Sequence, residues 1–108
     1  MAEEDDPIVV LSTFPSEAVA VTVARALVDE RLAACANLSP VRSIYRWQGA
    51  VQDDAEVLAV LKTTRARLAA LTARLAALHP YEVPEAIVLP IDGGHPPYLD
   101  WLRAQVSR

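Results

Sequence analysis

Apolar positions along this chain follow two periods, one of strands and one of helices. Ile8 to Phe14 (IVVLSTF) is a short β-branched apolar run between Pro7 and Pro15, the pattern of a central strand. From Glu17 to about Arg31, Ala20, Val23, Ala24, Leu27 and Val28 recur at helical spacing and predict one buried stripe. Ser16 is the expected N-cap, and Glu17 sits in the first turn, where the helix dipole favours an acid. Leu68, Leu71, Leu75 and Leu78 predict a second helix, with Thr64 as its cap and Pro80 as its stop. The stretch 34–63 carries no comparable stripe and one glycine, Gly49, which beside Gln48 can supply the positive φ of a hairpin turn. Two long strands are expected there, the second from about Ala50 to Thr63. AIVLPI (86–91) reads as another short strand, and GGHPP as a loop. Pro97 falls in the first turn of a last helix with Leu99, Leu102 and Val106 on one face.

The resulting order is strand, helix, strand, strand, helix, strand and a terminal helix. It predicts an α+β fold: a ferredoxin-like split βαβ sandwich with a long protruding hairpin and a short C-terminal helix. Right-handed crossovers place the strands at Ile8 and Val51 in the middle of the sheet. A strand from Ala50 to Thr63, at about 3.3 Å per residue, spans roughly 46 Å. A domain of this length has a radius of gyration near 13 Å and a diameter of about 35 Å. The hairpin must therefore overhang its own core, carrying Ile44, Tyr45, Trp47 and Val51 into water. Its free edge also invites pairing, so an obligate oligomer is expected. A turn centred on Gln48-Gly49 sets Cys35 opposite Lys62.

Composition narrows the class. The chain has 108 residues, 53% hydrophobic and 22% charged, enough for a single domain over 8–108 after an acidic, disordered tail over 1–7. No apolar run approaches the roughly 18–20 residues of a membrane span, so no membrane partner is expected. The start MAEEDD is acidic where an export signal is basic, and the single cysteine forms no internal disulfide; a cytoplasmic location is expected. Net charge is −4, and Glu3, Glu4, Asp5 and Asp6 supply all of that excess. With no basic stripe left over, nucleic acid is not an expected partner. No nucleophile with an adjacent base and an orienting acid is identifiable, so an enzyme is not expected.

The candidate chemistry concentrates in LHPYEVPEAIVLPI (78–91), where Pro80 and Pro84 stiffen a segment holding His79, Tyr81, Glu82 and Glu85. His79 admits two readings, a hydrogen-bonded residue at the helix end or a copper or zinc ligand. Cys35 is either a small buried sheet residue or a soft ligand whose thiolate Lys62 would favour. Tyr81 and Glu85 are expected to line a cleft, with Glu82 more exposed. Lys62, Arg65 and Arg67 cluster where the second helix begins and could attract an anion or form a solvated face. Arginines at that end oppose the dipole, which hints at another role. Trp47 and Trp101 are read as interface and core anchors or as stacking surfaces of the cleft. His-x-x-x-His and Cys-x-x-Cys are both missing, and the one methionine, Met1, argues against a methionine-rich copper(I) carrier.

RLAACANL (31–38), SIYRWQG (43–49), EVLAVLKT (56–63), HPYEVPE (79–85) and YLDWL (98–102) together resemble the CutA family, the divalent-cation tolerance proteins, from Ile8 to Val106. The resemblance implies a homotrimer of ferredoxin-like subunits joined edge to edge through their hairpins. It implies an association with tolerance to copper and other divalent metals, without an established reaction or an obligatory cofactor. Two functions are weighed. One is a trimer binding copper or another divalent metal ion, with His79, Cys35, Glu82 and Glu85 as candidate ligands. The other is a regulatory trimer holding a small anionic metabolite in an inter-subunit cleft of Lys62, Arg65, Tyr81, Glu85, Trp47 and Trp101.

Overall fold

The computed structural model describes residues 3–107. Its elements are β1 (Pro7–Phe14), α1 (Glu17–Asp29), β2 (Cys35–Trp47), β3 (Ala50–Thr64), α2 (Arg65–Leu78), β4 (Ile87–Pro90) and α3 (Pro96–Val106). The sheet order is β2-β3-β1-β4, antiparallel throughout, with β1 and β3 central as right-handed crossovers require. Ser16 caps α1 as expected, its Oγ accepting the N–H of Val19 at 3.2 Å.

Alternation along the strands separates two faces. Ile8, Val10 and Phe14 of β1 and Ala59 and Leu61 of β3 point to one side and pack with Ala20, Val23 and Leu27 of α1 and Leu71 and Leu75 of α2. Val28, predicted on the α1 stripe, is exposed because it lies at the stripe's margin; Leu32 and Ala33 fill the core beyond the helix end instead. The other face carries Val9, Leu11 and Thr13 of β1 beside Lys62, Val60 and Leu58 of β3. Near Lys62 α3 reaches this face, where Lys62 Nζ donates to the Tyr98 hydroxyl at 3.2 Å. Leu102 and Val106 of α3 form a small second core with Ala34 and Ile91.

The hairpin register runs from Cys35↔Lys62 to Trp47↔Ala50 around Gln48 and Gly49, whose φ values of 50° and 81° are those of a tight turn. Because β1 pairs with β3 only from Val57 to Thr64, the part of the ribbon beyond Val57 leaves the sheet. The molecule is accordingly elongated, 43 × 26 × 22 Å, with a radius of gyration of 14.4 Å. Ile44 and Val51 on the overhang are 67% and 62% exposed.

Two expectations about the N-terminal side of α2 are corrected. Residues 3–6 of the acidic tail are not disordered: they form a turn whose Asp6 carbonyl accepts the Arg65 N–H and whose Glu4 carbonyl accepts the Ala66 N–H, at 3.1 and 2.7 Å. Thr64 is the N-cap by position, yet its side chain makes no cap bond; the tail carbonyls satisfy these orphan donors instead. Pro7 belongs to β1, and Met1 and Ala2 lie outside the described residues. Arg67, placed against the dipole, is buried and donates from Nε to the Val106 carbonyl at 2.7 Å, tying down the end of α3.

Candidate functional site

Pro80 ends α2 and Pro84 straightens the next residues, so the chain from His79 to Ala86 crosses to β4 as a stiff irregular strap. His79 anchors it. The backbone N–H of His79 closes α2 on the Leu75 carbonyl, and its ring stacks on Phe14 with centroids 4.5 Å apart. Nε2 donates to the Thr13 carbonyl at 2.8 Å, while Nδ1 accepts the Tyr81 N–H at 3.1 Å. That pattern puts the hydrogen on Nε2 and leaves neither nitrogen free for a metal. His79 is a clamp between β1 and the strap.

The clamp presents Tyr81 to the long ribbon. Its hydroxyl donates to Glu56 Oε2 at 2.5 Å, and Glu56, on the sheet face opposite α1 and α2, is only 8% exposed. Burial raises the Tyr81 phenol well above its ordinary pKa, and the hydrogen bond to Glu56 adds to it. Further along the ribbon, the Tyr45 hydroxyl donates to Asp54 at 2.6 Å; that bond pushes Tyr45 up to about 12. Glu85 is raised from the usual carboxylate value by burial first and by the charge of Glu56 second.

Strap and ribbon enclose a cleft of about 730 Å³, whose walls include Thr13, Tyr45, Trp47, Glu56, Tyr81 and Glu85. Glu82 and Val83 lie at the same cleft, and among the described residues no lysine, arginine or histidine lines it. Three carboxylates and three aromatic rings therefore face one space without a basic counter-charge. Such a site attracts a cation and repels an anion.

The sequence-derived candidates divide accordingly. Tyr81, Glu82, Glu85 and Trp47 come together at this cleft, whereas Cys35, Lys62, Arg65, Trp101 and the ring of His79 do not line it. Cys35 does stand opposite Lys62, but its thiol contacts Asn37 Oδ1 at 3.6 Å and Lys62 is engaged with Tyr98. Arg65 borders a separate depression of about 320 Å³ beside Asp6, Asp92 and Arg103. Trp101 lies on α3 against Tyr98, with ring centroids 5.4 Å apart. Within a single chain, then, the metal candidates His79, Cys35, Glu82 and Glu85 do not share one site, and Lys62 and Arg65 do not share a cleft with Tyr81 and Glu85. Among the described residues no group of three or more His, Cys, Asp or Glu side chains is arranged to hold a metal ion.

Glu56 is the residue that sequence reading passed over. Its signal is a lone acid at the head of the apolar run EVLAVLKT, in phase with Leu58, Val60 and Lys62. An acid on that face needs a partner, and the partner is Tyr81, 25 positions away.

A ferredoxin-like α+β subunit with an overhanging β-ribbon and an acidic, aromatic cleft defines the class. The CutA1 divalent ion tolerance protein family matches residues 8–105, and the chain belongs to that family. The divalent-cation tolerance protein CutA of Thermus thermophilus is 58% identical over 96 residues, covering 88% of this chain and 93% of that protein. The mouse protein CutA is 50% identical over 91 residues, 83% of this chain, and the match spans about half (51%) of its length. The crystal structure of CutA from Xylella fastidiosa superposes with a TM-score of 0.92 at 40% identity, covering 94% of this chain and 99% of that one.

Proposed function

We propose that this chain acts by binding cations, copper or another divalent ion among them, in the cleft between strap and ribbon, as a homotrimer in the cytoplasm and without catalysis. The observation that carries the reading is the convergence of Glu56, Glu82 and Glu85 on one cleft with no basic side chain among the described residues of its walls. Two carboxylates from one subunit, Glu56 and Glu85, suit a hard divalent ion that keeps most of its water shell better than a thiolate-histidine copper site. The name carried by the Thermus relative, a divalent-cation tolerance protein, accords with a role in divalent-cation handling.

The trimer is supported by the ribbon. Its overhang leaves Ile44, Trp47 and Val51 exposed and the β3 edge beyond Val57 without a β1 neighbour, features that a second copy would cover. Among the described residues no helix is long and apolar enough to cross a membrane.

Calorimetric titration with copper(II) and manganese(II) chlorides tests the cation site. Glu85→Gln is expected to weaken binding at least tenfold, and Cys35→Ser to leave it unchanged. Binding that survives Glu85→Gln and disappears with Cys35→Ser would place the ion elsewhere and end the reading.

A further inference from the structure

Aspartate is followed by glycine once in this chain, at Asp92-Gly93, in a segment that takes no part in the cleft. The structure gives this pair a setting that no other aspartate has. Residues 92–95 are exposed and belong to no helix or strand. Among the described residues the Asp92 carboxylate enters no ion pair, and the Gly93 N–H makes no backbone hydrogen bond. A Cβ built on Gly93 would meet nothing within 4 Å, so the space around it is open.

The remaining aspartates are held. The N–H after Asp5 belongs to Asp6 and donates to the Glu3 carbonyl at 3.1 Å, and Asp6 precedes Pro7, which has no N–H. After Asp29 the Glu30 N–H donates to the Ala26 carbonyl at 3.0 Å. Asp53 and Asp54 lie within β3 and are engaged by Arg42 and Tyr45, while Asp100 lies within α3.

An unrestrained aspartyl-glycyl peptide rearranges without a cofactor. The backbone nitrogen of Gly93 attacks Cγ of the protonated Asp92 carboxyl. A C–N bond closes a five-membered succinimide as the Cγ–OH bond breaks, and water leaves with the amide hydrogen. Water then adds back and opens one of the two C–N bonds of the imide. Opening at the backbone carbonyl of Asp92 leaves the chain running through Cβ and Cγ with a free α-carboxylate, which is isoaspartate. No atom is gained or lost overall, and no oxidant or reductant takes part. Glycine favours the attack because it leaves the backbone free to turn and puts no side chain against the ring. The product inserts one methylene into the short bridge 91–95, which is fixed by the Ile91 N–H on the Pro7 carbonyl and by the His95 carbonyl at the start of α3.

We propose that Asp92-Gly93 is a site of spontaneous isomerisation, and that the isoaspartate formed there makes the exposed bridge between β4 and α3 a substrate for an S-adenosylmethionine-dependent, isoaspartate-specific carboxyl methyltransferase. That enzyme moves the sulfonium methyl group to the new α-carboxylate. The Gly93 nitrogen then displaces methanol from the ester, and hydrolysis of the regenerated succinimide returns part of the chain to aspartate. The site is independent of the cation reading of the cleft.

The test ages the full-length protein in its native assembly for several weeks at neutral pH and physiological temperature. Incubation with the methyltransferase and tritiated S-adenosylmethionine is expected to show methyl acceptance rising with age. Digestion with a protease that cuts before aspartate but not before isoaspartate is expected to lose its cleavage at Asp92 and at no other aspartate. Gly93→Val, at an exposed position with room for the side chain, is expected to slow both changes about tenfold. Full cleavage at Asp92 after ageing, equal loss at Asp53 or Asp100, or an unchanged rate in Gly93→Val overturns the isomerisation site. Isoaspartate at Asp92 that is methylated in the released peptide but not in the intact protein overturns the methyltransferase assignment.

Discussion

Replacing Tyr81 with phenylalanine takes away one hydroxyl and keeps the ring, which isolates the bond that joins strap to ribbon. In the native protein that hydroxyl donates at 2.5 Å to Glu56, a carboxylate 8% exposed. Hydrogen bonds to charged groups contribute about 1.5–3 kcal/mol net, more than neutral ones, because the unpaired charge stays desolvated. The cleft admits some water to the orphaned oxygen, so the lower half of that range applies, about 2 kcal/mol. Urea unfolding followed by tryptophan fluorescence measures it, at a fixed protein concentration because the proposed assembly would make apparent stability concentration-dependent. With a slope of about 1–3 kcal/mol per molar urea, the midpoint should fall by roughly 1 M at unchanged slope. In a Glu56→Gln background the hydroxyl meets only a neutral amide oxygen, and its loss should cost about 1 kcal/mol. The double-mutant cycle then returns a coupling of about 1 kcal/mol. A Tyr81→Phe protein within about 0.5 kcal/mol of wild type, or an equal loss in both backgrounds, would refute the assignment.

Three further outcomes are expected. Glu85 is held above the ordinary carboxylate value by burial and by Glu56, so the folded protein keeps its proton longer than the unfolded chain does. Its contribution to stability is full below the ordinary pKa and is lost as pH rises through the raised one; the melting temperature of Glu85→Gln should therefore gain on wild type as pH rises above the ordinary carboxylate value of about 4.3, and a constant gap would contradict this. Arg67→Met keeps the stem and removes the Nε bond to the Val106 carbonyl, a loss of about 2 kcal/mol that should appear as faster amide exchange in α3 than in α1; uniform exchange would refute it. Ile44→Asp and Val51→Asp alter side chains 67% and 62% exposed in a single subunit, so they should leave the subunit folded and break the assembly in sedimentation at micromolar concentration; an intact trimer would move the seam elsewhere.

The fold and the site differ in how far they can be read from the chain. Leu71 and Leu75 announced the buried face of α2 because helical period is a local property, and Gln48-Gly49 announced the turn because few residues tolerate positive φ. From that turn the pairing of Cys35 with Lys62 followed by counting. Arg65 and Arg67 signalled a conflict with the helix dipole but not its resolution, since the carbonyl that Arg67 meets belongs to Val106, 39 positions on. The same distance problem hid Glu56 and left His79 undecided between its two readings. Helix-end position and residue type both left a ligand role open for His79, and only the packed structure brings the Thr13 carbonyl and the Tyr81 N–H to its two nitrogens.

The linear order determined by itself everything carried by short-range stereochemistry: the kinds of element, their sequence, the hairpin register and a ribbon too long for its own core. The tertiary structure alone decided which polar groups share a space. Hydrophobic burial is non-directional and only brings strap and ribbon face to face. The final arrangement then depends on each buried donor finding an acceptor, and those partners come from segments 25 to 66 residues apart.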